Sequence, residues 1–173
     1  MSVARRRIVH VYPAGPFRGE NAGGMLNVLE RSTTLAHPIE EVFAFFADAG
    51  NLERITPPEL RFRILSSLPI VMRAGTLIDY RLALFGVPFG WRTEICLWEP
   101  PHRFVDHQLA GPYRLWVHTH EFTVGHGGTR MRDRVQYALP MGRLGLFALP
   151  LVRRRLGRIF DYREASIQQL LAR

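Results

Sequence analysis

The chain contains no lysine. All 23 of its basic residues are arginine, set against 15 acidic ones for a formal charge of +8. That absence excludes Schiff-base chemistry on a lysine amine. A single cysteine, Cys96, excludes an internal disulfide and any multi-cysteine zinc site. No apolar run approaches the roughly 18 residues that span a bilayer. The basic stretch Met1–Arg7 is not followed by the apolar region of a secretory signal, so cytoplasm is the expected compartment. Gly-x-Ser-x-Gly, Walker, Gly-x-Gly-x-x-Gly and Cys-x-x-Cys motifs are all missing. The positive charge alone invites a nucleic-acid partner. Its arginines, however, are scattered over a tail, strand faces and a helix, with runs only at Arg5–Arg7 and Arg153–Arg155, and no nucleic acid is expected.

What is present is a chain of 173 residues, 47% hydrophobic and 22% charged, enough for one domain with a real core and room for a cavity. Two strand-like segments, Tyr113–Val124 and Thr129–Ala138, flank the turn Gly125-His126-Gly127-Gly128. If His126-Gly127 is the two-residue loop of a hairpin, the pairing follows by counting. One face then sets Phe122 opposite Met131, His120 opposite Asp133, His118 opposite Val135 and Trp116 opposite Tyr137. The other sets Thr123 opposite Arg130, Glu121 opposite Arg132 and Thr119 opposite Arg134. The charged, complementary face is expected to meet water. The aromatic face carries an ionisable pair among its rings, which points to a pocket with something bound or held there.

Along the rest of the chain, residues 1–24 read as an irregular basic arm and residues 25–173 as one ligand-binding domain. Met25–Ala36 reads as a strand. His37-Pro38 opens a helix with Glu40 and Glu41 in its first turn and Val42, Phe43, Phe45 and Phe46 on its apolar face. Asp48 is placed to cap a second short helix running to Ile55, stopped by Pro57-Pro58. Strands are expected over Leu60–Leu68, Thr76–Phe85, Val87–Trp98 and Arg103–Ala110, with turns at Gly86, Pro100-Pro101 and Gly111-Pro112. Beyond Gly142 the period lengthens, and Val152, Leu156, Ile159, Phe160, Arg163, Ile167 and Leu170 form one stripe of a long helix. The order predicts an α+β helix-grip fold. About seven antiparallel strands curve around a long C-terminal helix, with two short helices after the first strand and a cavity between helix and sheet.

Thr34–Phe46, with the continuation Asn51–Pro58, resembles the opening of the polyketide cyclase/dehydratase and START-related (SRPBCC) superfamily, which includes lipid-transfer and birch-pollen-allergen-like proteins. Phe104–Tyr113, Trp116–Phe122, Gly128–Asp133 and Ile159–Arg163 look like a bacterial branch of it, and the match runs over about residues 26–172. The resemblance implies a helix-grip fold and a pocket for a small hydrophobic molecule such as a lipid, quinone, isoprenoid or polyketide-like compound. It implies no cofactor and, in most members, no metal. It carries no catalytic motif onto particular residues.

His120 and Asp133 are the sharpest candidates. A carboxylate opposite a histidine fixes its tautomer and leaves the other ring nitrogen free as acid, base or donor; the alternative is a structural pair in which the two groups satisfy each other. His118 shares their face, but a metal held by His118, His120 and Asp133 lacks an evident fourth ligand, and none is assigned. Asp106 and Gln108 share one face of their strand. A two-residue Gly111-Pro112 loop turns them outward, whereas a one-residue shift turns them inward beside His118. Tyr80, between Ile78, Leu82 and Leu84, and Trp91, in line with Thr93, Ile95 and Leu97, are expected to face inward. With Trp116, Phe122, Met131, Tyr137 and Arg163 they complete the candidate ligand-binding set. Arg163, the polar member of the helix stripe, can pair with an inner carboxylate, take an anionic head group or snorkel to the edge.

The leading expectation is non-covalent binding, with His120, Asp133, His118 and Arg163 orienting a polar head. The alternative is a cyclase or dehydratase using His120 and Asp133 as general acid/base. A third reading takes the apolar segment Leu144–Leu151, followed by Arg153, Arg154, Arg155 and Arg158, as a contact with an anionic membrane surface. Against it stands a helix start packed on the sheet with solvated arginines beyond.

Overall fold

A computed structural model of the chain describes residues 25–84 and 86–172, so the arm expected over residues 1–24 lies outside it. Strand β1 (Asn27–Leu35) is followed by helix α1 (Ile39–Ala47) and the single turn α2 (Asn51–Arg54). A meander of β2 (Arg63–Ile64), β3 (Leu77–Leu84), β4 (Val87–Glu99), β5 (Arg103–Ala110), β6 (Leu115–Gly125) and β7 (Gly128–Ala138) comes next, and then the 23-residue helix α3 (Leu149–Leu171). The seven strands form one antiparallel sheet in the order β1-β7-β6-β5-β4-β3-β2, with β1 brought back beside β7. This is the α+β helix-grip arrangement expected from the order of elements.

Each element follows from local chemistry. In α1, Ile39, Val42, Phe43 and Phe46 recur at helical spacing and are buried, while Glu40 and Glu41 occupy the first turn, where the dipole favours acids. Asp48 stands two residues before Gly50, which holds the N-cap position of α2. Its carboxylate accepts the Gly50 N–H at 2.8 Å and tightens the link between the two helices. On α3, Leu156 and Phe160 pack with Trp116, Val135 and Tyr137, and Ile167 packs with Phe43, Phe46, Phe122 and Met131. Burying that stripe against the concave face holds helix to sheet, at roughly 25 cal/mol per Å² of apolar surface removed from water.

The β6–β7 hairpin pairs as counted from its turn, with Gly125 opposite Gly128, His120 opposite Asp133 and Trp116 opposite Tyr137. Its outer face is a charge lattice in which Glu30 of β1 reaches Arg132 at 3.0 Å and Arg134 at 3.2 Å. Two expectations are corrected. The strand predicted over Leu60–Leu68 shrinks to Arg63–Ile64, because a 3-10 turn at Pro58–Leu60 ends in Arg61 with φ 46°, a left-handed residue that breaks the extended run. The alternation predicted along β4 changes phase at Cys96, since Ile95 pairs with Asp106 but Leu97 with Val105. One extra residue in a strand moves all later side chains to the opposite face. Leu97 therefore turns outward, and Trp98 turns in against Phe43 (5.1 Å between centroids) and Phe104 (5.6 Å).

Gly128 has φ 135°, and a β-carbon there would strike the Leu35 carbonyl oxygen and approach the Ala36 Cα to 2.9 Å. Gly127 has φ 84° with open space around its missing side chain. Gly128→Ala is expected to cost at least roughly 1–3 kcal/mol from backbone conformation alone, with the clash adding to it. Gly127→Ala should cost less. Equal urea midpoints for the two variants would show that the β1–β7 approach is not a constraint.

Candidate functional site

Three adjacent strands deliver four ionisable side chains to one spot on the concave face: Asp106 from β5, His118 and His120 from β6, and Asp133 from β7. The register of β5 was open from sequence, and it resolves inward, with Asp106 opposite His118 rather than Val117. Gln108 shows how. Its amide donates to the Tyr113 carbonyl at 2.6 Å and its carbonyl faces the Tyr113 N–H at 3.4 Å, clasping the loop between β5 and β6. A β-carbon at Gly111 would run into that carboxamide, so a larger residue there would displace Gln108 from its hold on Tyr113.

The four groups form a closed ring. His118 Nε2 lies 2.9 Å from Asp133 Oδ1, and His120 Nδ1 lies 2.9 Å from the same oxygen. On the other side, Asp106 Oδ2 is 3.2 Å from His120 Nε2 and 3.6 Å from His118 Nδ1. A carboxylate can only accept, so the His118 Nε2 contact fixes the proton on that nitrogen. His120 Nδ1 is close to its carboxylate yet not aligned for a hydrogen bond. The expectation that one His120 nitrogen would stay free is therefore corrected, since each of its ring nitrogens faces a carboxylate. Aromatic rings wall the cluster. Phe104 stacks on His120 at 4.1 Å, and Phe160 of α3 meets His118 edge-on at 5.6 Å.

Burial acts most strongly on all four groups and opposes charge on each. For Asp133, the contacts from His118 and then His120 outweigh burial and hold the carboxyl well below the usual range. Asp106 is lowered likewise, by the His120 hydrogen bond and the nearby charges of His118, His120 and Arg163. His118 is pushed down by burial and by the charge on His120, whereas the two carboxylates lift His120 above its ordinary value. These shifts favour the charged form of both carboxylates and of His120, and the neutral form of His118. Arg163 stays at the site and, among the described residues, forms no close pair. It lies 5.4 Å from the Phe160 ring centre, and its Nε is buried without a hydrogen-bond partner among them.

Next to this ring, between sheet and α3, is a cavity of about 390 Å³. Phe46, Leu52 and Leu60 close one end, Tyr80, Leu82, Phe89 and Trp91 form the floor, and Leu151, Leu156 and Ile159 form the roof. Asp106, His118, His120, Arg155 and Arg163 are its charged or ionisable polar lining, joined by Thr56 and Thr93, and Trp91 adds an indole N–H that is buried with no acceptor among the described residues. Of the predicted ligand-binding residues, Tyr80, Trp91, Asp106, Trp116, His118 and Arg163 line the cavity. Phe122, Met131 and Tyr137 face inward but pack in the core, and Gln108 is committed to Tyr113. Asp133 lies behind the histidines. Phe46, Ala49, Leu52, Leu60, Phe62 and Met72 also line the cavity, which sequence reasoning did not assign; their one signal is apolar side chains interspersed among charged ones.

Residues 35–161 match the protein family described as Polyketide cyclase / dehydrase and lipid transport. No curated protein matches by sequence. Solved structures share the fold at low identity. Protein Ms6760 from Mycobacterium smegmatis is 19% identical, with a TM-score of 0.63 over 84% of this chain and 90% of its own. Ara h 8.0201 is 14% identical, with a TM-score of 0.56 over 84% of this chain and 99% of its own. The di-domain ARO/CYC StfQ of the steffimycin biosynthetic pathway is 13% identical, with a TM-score of 0.62 over 83% of this chain and 50% of its own, so the present chain corresponds to half of it.

Cys96, at the bulge of β4, is half-buried with Sγ 3.5 Å from the Val105 carbonyl oxygen. Burial, and then the negative charge of Asp106, push its thiol up to about 11 from an ordinary 9.0. Because only the thiolate is nucleophilic, iodoacetamide should label the folded chain slowly at neutral pH and accelerate as pH climbs towards that value. The urea-unfolded chain should react at the ordinary pH. Coincident folded and unfolded profiles would show that the site does not shield Cys96.

Proposed function

Because the chain belongs to the polyketide cyclase/dehydrase and lipid transport family, we propose that it binds a small, mainly apolar molecule with one polar end in the cavity under α3. The observation that carries this is a pair of buried donors without acceptors among the described residues, Trp91 Nε1 and Arg163 Nε, on the lining of a mainly apolar cavity. An unmet buried donor costs about 1–3 kcal/mol, and a ligand oxygen would relieve it. The cavity volume is near the lower end for small-molecule sites. A lipid, quinone, isoprenoid or polyketide-like body suits the aromatic floor. Its polar end would turn towards Trp91, Arg163 and the Asp–His ring. A cyclase or dehydratase reaction using His120 as free acid or base has less support, because both ring nitrogens already face carboxylates.

Native mass spectrometry of the purified chain, followed by extraction, is expected to reveal one apolar molecule per chain. Trp91→Phe keeps the ring but removes the donor, and should weaken binding of that molecule about 3–10-fold, read by quenching of the remaining tryptophans. A chain that carries nothing and also fails to take up an apolar probe such as N-phenylnaphthylamine would sink the proposal.

A second reading concerns how such a molecule enters. Met141, Leu144, Phe147 and Leu151 are 74%, 67%, 86% and 51% exposed, and Met141 and Leu151 also line the cavity. Arg154 and Arg158 are exposed on the same first turns of α3. An apolar rim beside arginines suits an anionic bilayer surface. Arg153, in contrast, is engaged with Asn27 Oδ1 at 3.0 Å. Flotation with phosphatidylserine vesicles should recover the chain in a salt-sensitive way, and Arg154→Glu with Arg158→Glu should reduce recovery about tenfold. Recovery unchanged by both reversals would end this reading.

A further inference from the structure

We propose that Asp106, His118 and His120 form a binding site for one divalent transition-metal ion of the zinc or iron(II) class. In sequence, His118, His120 and Asp133 show no evident fourth ligand. The inward register of β5 supplies Asp106, and one donor atom from each of Asp106, His118 and His120 lies within 4.8 Å of the others.

The geometry divides the two carboxylates between different tasks. Asp106 Oδ2 approaches His120 Nε2 at 3.2 Å and His118 Nδ1 at 3.6 Å. Donors bound at about 2.1 Å in a tetrahedral site stand about 3.4 Å apart, so these spacings suit an ion held among the three. Asp133 takes the two remaining nitrogens, His118 Nε2 and His120 Nδ1, both at 2.9 Å from one oxygen. A carboxylate behind the ligating histidines, fixing their tautomers and ring planes, is the usual outer support of a metal site. His120 Nδ1 is within reach of Asp133 Oδ1 at 2.9 Å, and aligning the two would complete that support.

Charge and access agree with this division. With both imidazoles neutral, as metal ligands must be, the two buried carboxylates meet the dication with two negative charges. Arg163 beside Asp106 leaves one positive charge for a hydroxide or anionic ligand atom in the open position to cancel. Asp106, His118 and His120 line the cavity, whereas Asp133 does not. Positions not filled by protein would therefore face the cavity, open to water or to a ligand oxygen. Two imidazoles and one carboxylate suit zinc and iron(II) better than calcium or magnesium, which prefer all-oxygen sites. The inference does not depend on which organic molecule the cavity takes.

The test uses the full chain, stripped with chelator and freed of organic ligand. Titration with zinc chloride should show one equivalent bound at micromolar or tighter affinity. X-ray absorption of the zinc-loaded chain should show nitrogen and oxygen neighbours, the outer scattering of two imidazoles and no sulfur. Asp106→Asn should weaken binding at least tenfold. Asp133→Asn, a change in a positioning residue, should weaken it about 10–100-fold while leaving the two-imidazole signature of the loaded state. The proposal is overturned by the absence of stoichiometric binding, by a loaded wild-type spectrum with fewer than two imidazoles, or by Asp106→Asn binding as the wild type does. If the variants fail to fold, the wild-type spectrum alone decides. None of these readouts involves cavity ligand, so failure here leaves the apolar-binding proposal standing, and an empty cavity leaves this one standing.

Discussion

Two carboxylates buried on the concave face of one sheet are the constraint around which the centre of this protein is arranged. Each would be costly alone, because an unpaired charge in a low-dielectric interior loses far more hydration than packing returns. Here every carboxylate touches two imidazoles and every imidazole two carboxylates. Removing any one member would leave the others unmatched. The ring also requires β5, β6 and β7 to lie in one register, since a slip of a single residue would turn Asp106 to solvent and leave His118 and His120 facing one acid.

Other features serve that register. Gln108 clasps the loop between β5 and β6, the tight turn at Gly125–Gly128 sets the hairpin, and Phe104 and Phe160 pack against the two histidines. Arg163 brings a positive charge from the helix to the sheet without spending its Nε on a protein acceptor. A buried donor left unmet in this way is costly, and a bound acceptor would relieve the cost.

The cavity is the complementary outcome. A long helix laid across a curved sheet cannot fill all the space beneath it, and aromatic residues at Tyr80, Phe89, Trp91 and Trp116 line what remains. Its polar end is the Asp–His ring and its rim is apolar and exposed, so the pocket joins a charged interior to a greasy entrance. Binding of an amphipathic molecule, entry from a lipid surface and a metal ion at the inner end are separate readings of this one gradient of polarity.

The sequence by itself determined the order of elements, the register of β6 on β7 and the inward face of that hairpin. Those features rest on local rules: a two-residue loop fixes pairing, alternation fixes faces, and a 3.6-residue period fixes the buried stripe of α3. It was also enough to single out His118, His120 and Asp133. The tertiary structure alone decided the rest. It placed Asp106 in the ring, moved Trp98 inward across the bulge at Cys96, committed Gln108 to a loop, and set Phe122, Met131 and Tyr137 behind the cavity rather than on it. These outcomes turn on bulges and a loop one residue longer than the shortest, where alternatives differ by little in local energy. The choice between them is made by long-range contacts, here the pairing of buried charge, that no window of sequence contains.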